Sequence, residues 1–404
     1  MIKRVPIDDV RVGMYVSDQN NDWIPHNTRN RRGVIRNEET VEKMRQMGAQ
    51  FIYIDTDRGL DAVHAEPAAD VADRNEALLQ RAAAAAPAMA TRNAVSVVDE
   101  LGAAQAIHSE AQALVGQLMG KIKEGHPLEL DPVGDLADDL LDSVFRNHNA
   151  LSCLGKIRQK DNYLLQHSVN LSVLMSIFGK SVELSRETMR ETVIGALLHD
   201  IGKILTPDEI LHKPGRLNSD EFQIMKQHAG HSRDLLSSTP GIGRIALLTA
   251  GEHHERMDGS GYPDGLTGAA ISVYGRMVAI TDVYDAITSD RVYHKAMTPT
   301  QGLKKLLEWS GDHLDPQLVR HFIRCIGIYP VGSLVLLDSG RLAVVVETNE
   351  HDQRLPRVRV MYHTRFRQAI PVETIDLAAA KTQDRIIRAV DPVDYKLDIQ
   401  PLLS

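Results

Sequence analysis

From about residue 100 to residue 325, apolar residues recur at three- and four-residue spacing, and two polar strings break that pattern at the ends of apolar segments. The spacing predicts helices over Ala111–Ile122, Leu136–Phe145, Leu164–Phe178, Thr188–Leu198 and Ile242–Ala250. The first string, Leu197-Leu198-His199-Asp200-Ile201-Gly202-Lys203, closes the fourth of these. The second, HHERMDGSGYPDG from His253 to Gly265, follows the fifth. A chain laid out this way is expected to pack its middle as helices through apolar stripes, with imidazole, carboxylate and lysine concentrated at helix ends.

The flanks read differently. Val5 to Ser17 alternates, Glu38 to Met47 has helical spacing, and Phe51–Ile54 is strand-like, which predicts a small mixed unit over residues 1–64. Residues 65–99 carry Pro67, Pro87 and an alanine tract with few large apolar side chains, a linker by composition in which the alanines could make helix. Residues 100–139 then form a helical connector and 140–330 the main helical domain. Asn218 to Glu221 resembles a capping box opening another helix there. Past Pro330 the period switches to two. Ser333–Leu337, Leu342–Glu347 and Val358–Tyr362 predict a compact antiparallel sheet or small barrel in a β-rich segment over 331–404. The expected fold class is mainly α, with a small α+β N-terminal domain and a β-rich C-terminal extension.

A chain of 404 residues needs two or three such domains. No apolar run approaches the ~20 residues that span a bilayer, so no membrane insertion and a cytoplasmic location are expected. Cys153 and Cys325 are too few for a disulfide framework and sit in apolar surroundings, as small core residues. The net charge of −8 argues against binding long nucleic acids, which needs a basic face. Arg354, Arg357, Arg359, Arg365 and Arg367 read as a solvated sheet face rather than such a surface.

The chemistry concentrates in the two strings. Adjacent helical residues point ~100° apart, so His199 and Asp200 reach one ion only where it sits against the helix end. A carboxylate has two oxygens, which suits Asp200 to bridging two ions. Gly202 lets backbone come close, and Lys203 offers an ammonium one turn on. Consecutive His253 and His254 after an apolar helix are rarely core filling, and mixed His/carboxylate sets suit first-row divalent metals. Gly259, Gly261 and Gly265 let backbone amides approach an anion, and Tyr262 gives an aromatic face for a base. His167, His228 and Asp282 complete a plausible set, Asp282 because an unpaired carboxylate in an apolar helix costs several kcal/mol. Hydrated metal ions gripping a phosphate make a metal-dependent phosphohydrolase the reading.

These strings resemble a known family. Gln166-His167-Ser168, LLHDIGK, ILHKPGRLNSDEF from Ile210, Met225-Lys226-Gln227-His228, HHERMDGSGYPDGL and AITDVYDAITSDRVY from Ala279 are similar, in order over 140–330, to bacterial HD-GYP proteins. That family is a branch of the HD phosphohydrolases and hydrolyses cyclic di-GMP. Residues 1–130, including Val12-Gly13-Met14-Tyr15-Val16 and Tyr53-Ile54-Asp55, resemble the domain of unknown function that often precedes it.

The resemblance implies metal ligands at His167, His199, Asp200, His228, His253, His254 and Asp282, with Asp200 bridging two divalent ions. Iron or manganese is expected, with nickel, cobalt or zinc as alternatives. It implies phosphate contacts from Lys203 and Arg291, and a substrate cavity shaped by Gly259, Gly261 and Tyr262. His294 stands where relatives often carry a basic residue, with Lys295 adjacent. Tyr163 stands where some members carry a glutamate that adds a third metal. The implied activity cuts cyclic di-GMP to pGpG and then GMP, controlling second-messenger signalling in biofilm, motility and virulence. Diguanylate cyclases or other signalling proteins, met through the GYP loop or the N-terminal domain, are candidate partners. The alternatives are a low-turnover cyclic dinucleotide sensor and a hydrolase of a mixed cyclic dinucleotide.

Overall fold

The computed structural model describes residues 1–17, 32–46, 49–84, 93–157, 163–213, 215, 217–289, 296–349 and 351–403. The chain divides into two compact units, residues 1–78 with 206–226, and residues 79–205 with 227–404.

In the first unit, β1 (Ile2–Pro6), β2 (Tyr15–Val16), β3 (Gly33–Val34), β4 (Phe51–Asp55) and β5 (Glu66–Pro67) form one sheet in the order β3-β2-β4-β1-β5. β1 and β4 pair antiparallel from Ile2 opposite Asp55 to Pro6 opposite Phe51. Helix α1 (Glu38–Gln46) contributes Val41 to a core with Val5, Ile7, Met14, Ile35, Ile52 and Ile54. The second stretch holds α7 (Asp208–Leu211) and the opening of α8 (Ser219–Ser237). The capping box forms as expected: Glu221 N–H donates to Asn218 Oδ1 at 2.9 Å, and Asn218 N–H donates to Glu221 Oε2 at 2.7 Å.

Within 65–99, α2 covers Ala68–Ala84 and buries Val71, Asn75 and Leu79, which share one helical stripe. Alanine loses no side-chain entropy on entering a helix, which is why the alanines of this stretch allow the helix found there.

The second unit carries α3 (Val97–Lys123), α4 (Asp131–Leu154), α5 (Tyr163–Ser181), α6 (Arg186–Leu198), α8 from Gln227, α9 (Arg244–Gly251), α10 (Val273–Ile287), α11 (Pro299–Glu308) and α12 (Pro316–Ile326). Ser185, Ser272 and Thr298 open α6, α10 and α11 by accepting a backbone N–H three residues on. Buried Glu100 on α3 ties down α4 by accepting from Ser143 and Arg146, each at 2.7 Å. α6 lies close on α9 because Gly195 has no side chain; a Cβ there would stand 2.6 Å from the Ala246 carbonyl. That contact sets the end of α6, which His199 and Asp200 follow, beside α9, which His253 and His254 follow.

The C-terminal sheet has the order β10-β6-β7-β8-β9, all antiparallel, from β6 (Leu334–Leu337), β7 (Arg341–Glu347), β8 (Arg357–His363), β9 (Gln368–Asp376) and β10 (Ile386–Ala389). Leu334, Leu342, Val344 and Val346 bury one face against Cys153, Val331, Leu402 and Leu403. The three expected runs are β6, β7 and β8. β9 escaped the sequence reading because it is largely exposed and has no apolar alternation; its Pro371 is tolerated at a sheet edge. Cys153 and Cys325 are buried free thiols, each pushed up to about 12 by burial. Arg354 pairs with Asp352, Arg357 with Glu347, and Arg359 donates to the Leu402 carbonyl, so these three arginines are engaged within the C-terminal segment.

Candidate metal centre

Helices α5, α6, α8, α9 and α10, with the residues that follow α6 and α9, deliver seven side chains to one place. His167 comes from α5, His199 caps α6 with Asp200 next to it, His228 comes from α8, His253 and His254 follow α9, and Asp282 comes from α10. Potential ligand atoms within 4.8 Å of one another fall into three overlapping groups: His167, His199 and Asp282; His199, Asp200 and His253; and His228, His253 and His254. Gly202 makes the approach of α8 possible, because a Cβ there would lie 2.3 Å from the His228 carbonyl. Its own N–H donates to Ser232 Oγ at 2.9 Å.

Three of the imidazoles, those of His199, His253 and His167, are turned by what holds Nδ1. Nδ1 of His199 lies 2.8 Å from the Ala196 carbonyl, and Nδ1 of His253 lies 2.6 Å from that of Ala250. Both histidines sit just past a helix and use a carbonyl three residues back that the helix leaves unpaired, so each ring carries its proton on Nδ1 and presents Nε2. Nδ1 of His167 lies 2.8 Å from Asp285, and its Nε2 lies 3.0 Å from Asp282.

Charge and burial agree with a cation site. Burial pushes His253 down to about 4, helped by neighbouring His199, and holds His254 well below the ordinary imidazole range, which favours the neutral ring that can bind a metal. Burial works to raise Asp200, yet His199 and Lys203 keep it well below the usual carboxylate range. His167 is the exception. Burial works to lower it, but Asp282 and Asp285 hold it up to about 9, so its proton occupies a place that a divalent cation fits.

The donor set itself passes the test of fit. Asp200 Oδ1 is buried and accepts no hydrogen bond, although His228 Nε2 stands 3.3 Å away and His253 Nε2 4.0 Å away. Those two Nε2 atoms are 3.3 Å apart. Lone pairs from imidazole and carboxylate pointing at a common space suit divalent ions. Access is from one side: His254 is 25% exposed and Lys203 19%, whereas His199, Asp200 and His253 are at most 1%. Lys203 donates to the other oxygen, Oδ2, of Asp200.

The glycine string forms a wall on that open side. Gly259 has φ +81°, and a Cβ on Gly261 would stand 2.4 Å from the Arg256 nitrogen. Tyr262 lays its ring 4.6 Å from that of His254 and 6.3 Å from that of His228. Arg291, His294 and Lys295 lie outside the described residues, as does the side chain of Tyr163.

Three supporting residues were not assigned roles from sequence. Asp285 has a visible signal, being one turn after Asp282 in an apolar helix. Glu252 and Glu255, which flank the histidine pair, have only that adjacency. A separate cavity of about 50 Å³ lies behind Asp285, walled by His148, Leu151, Val173, Leu174 and Tyr284.

The HD domain family matches residues 153–318, and the domain of unknown function DUF3391 matches residues 2–133. A Pseudomonas aeruginosa protein named as a cyclic di-GMP phosphodiesterase is 36% identical over 388 residues, covering 96% of this chain and 92% of that one. The Xanthomonas campestris cyclic di-GMP phosphodiesterase response regulator RpfG is 39% identical over 181 residues, 44% of this chain and 48% of its own. A Vibrio cholerae 3′3′-cGAMP-specific phosphodiesterase is 39% identical over 176 residues, 43% of this chain and 41% of its own. Among the described residues no helix is long and apolar enough to cross a membrane.

Proposed function

Since this chain belongs to the HD-GYP branch of the HD domain family, with DUF3391 ahead of the HD domain, we propose that it is a metal-dependent phosphodiesterase that hydrolyses cyclic di-GMP. The observation that carries the reading is the set of seven histidine and aspartate side chains around the orphaned Asp200 Oδ1, with Lys203 at its open edge.

His167, His199, Asp200, His228, His253, His254 and Asp282 would hold two divalent ions, iron or manganese by the mixed imidazole and carboxylate character of the set. Such ions, when bound, lower the pKa of water and offset phosphate charge. Asp200, with an oxygen free of hydrogen bonds, would be one of their ligands. Lys203 swings its ammonium from Asp200 to a non-bridging phosphate oxygen, where negative charge grows as water attacks phosphorus in line with the departing ribose 3′ oxygen. Arg291 takes the other phosphate. Gly259, Gly261 and Tyr262 bound the nucleotide on the open side. The first cut yields pGpG and the second GMP.

The N-terminal unit over residues 1–64 serves as the regulatory or interaction domain, with signalling proteins as its partners, and the enzyme works in the cytoplasm. Incubating manganese- or iron-loaded protein with cyclic di-GMP and separating the products tests the activity. pGpG is the expected early product, and intact substrate after prolonged incubation of fully loaded protein refutes the reading. The similarity to the Vibrio cholerae 3′3′-cGAMP-specific enzyme supports a second substrate, so the same assay is run with 3′3′-cGAMP.

A further inference from the structure

The two histidines that follow α9 are bracketed by glutamates, in the order Glu252-His253-His254-Glu255. Both glutamates are buried, at 8% and 2% exposure, in a part of the chain where neither meets a basic side chain across a salt bridge among the described residues. Each instead accepts backbone N–H groups from a different segment. Glu252 Oε2 accepts from Ser272 at 2.8 Å, at the start of α10, the helix that carries Asp282. Glu255 accepts from three consecutive residues of the glycine loop: Oε1 from Asp264 at 2.7 Å and Gly265 at 3.1 Å, and Oε2 from Leu266 at 2.9 Å.

These bonds close the loop on itself. Tyr262 N–H donates to the His254 carbonyl at 3.2 Å, and Asp258 and Thr267 form a β-bridge across the base. Buried His313 stands 3.4 Å from Asp258 on the outside. The loop is therefore a tied ring, and the carboxylate that ties it is one peptide unit from His254, the most exposed of the ligand histidines.

We infer that Glu255 is a positioning residue for substrate: it fixes the glycine loop so that Tyr262 rests over His254 and the mouth of the centre keeps its shape before substrate arrives. This deepens the proposed phosphodiesterase reading and rests on it. The physical basis is that a carboxylate accepts three amides with two oxygens, whereas a carboxamide has one oxygen and turns an NH₂ towards the remaining amide. A preformed wall also spares substrate binding the cost of ordering a loop.

The test uses the full chain loaded with manganese and the variant Glu255→Gln, with Glu255→Asp as the conservative control. Metal per chain, kcat and KM for cyclic di-GMP, and hydrogen exchange at residues 264–266 are measured. Glu255→Gln is expected to keep parental metal content and to raise KM about tenfold, the worth of one or two hydrogen bonds. kcat should fall less than threefold, and the three amides should exchange faster. Glu255→Asp should recover part of the KM. A parental KM, unchanged exchange at 264–266, or metal loss in step with activity would each overturn the assignment. If the unmodified protein cuts no cyclic di-GMP, the functional reading fails, and the loop clamp is decided by the exchange measurement alone.

Discussion

Nδ1 of His167 lies 2.8 Å from the carboxylate of Asp285, 118 positions later in the chain, and both groups are buried. Asp285 is thereby the residue that sets the tautomer of His167 and turns its Nε2 to the centre, beside Asp282 at 3.0 Å. Removing such an outer carboxylate typically costs ten- to a hundredfold in metal affinity. Asp285→Ala is expected to weaken manganese binding by about that factor, read by equilibrium dialysis, while circular dichroism keeps its helical signal. Parental affinity would show that His167 needs no such support.

Asp200→Ala should remove both metal and activity. Its two oxygens face different neighbours, Lys203 and His199 on one side and His228 on the other. The loss in turnover should be orders of magnitude, because ligands supply binding and charge stabilisation together. Full activity at parental metal content would remove Asp200 from the centre.

Lys203→Ala separates the roles of metal and substrate. Lys203 reaches Asp200 from the open side, and its ammonium is a hydrogen-bond donor with no acceptor lone pair to offer a metal. The variant should retain metal and lose about ten- to a hundredfold in kcat/KM, the worth of one charge-assisted hydrogen bond to phosphate, about 1.5–3 kcal/mol. Metal loss from a folded variant would reassign it.

The metal count follows from Tyr163, four residues before His167 at the start of α5. A neutral phenol is a poor ligand beside a carboxylate. Elemental analysis should find two metals per chain, and with fewer cations to hold the linear intermediate, pGpG should accumulate before GMP. Three tightly bound metals would refute the count; GMP as the sole early product would refute the kinetic consequence.

His148 gives stability a pH dependence independent of the centre. Burial lowers it to about 3, and Lys180 pushes the same way. The folded state holds the neutral ring while the unfolded chain protonates near its usual value of about 6.5, so the unfolded state binds more protons in between. Stability from this group is full above about 6.5 and falls as pH drops towards 3. Urea midpoints of parent and His148→Leu at pH 7 and pH 4.5 should converge or cross in the variant's favour at the lower pH. Equal shifts in both proteins would exclude His148 as the cause.

Local signals made much of this protein legible. Apolar period located α4 to α6, α9 and the strands β6 to β8, and Asn218 with Glu221 announced the start of α8, because these depend on neighbours within one or two turns of chain. Residue type and order also brought out His199, Asp200, His253, His254 and Lys203. Tertiary structure alone decided which nitrogen each histidine presents, that Asp200 Oδ1 is left without a hydrogen bond, that Asp285 holds His167, and that Glu255 ties the glycine loop. Those facts join α5 to α10, or one carboxylate to three amides, across distances no periodicity spans. They exist only once burial has removed water as the competing partner, so that each polar group must find its bond within the fold.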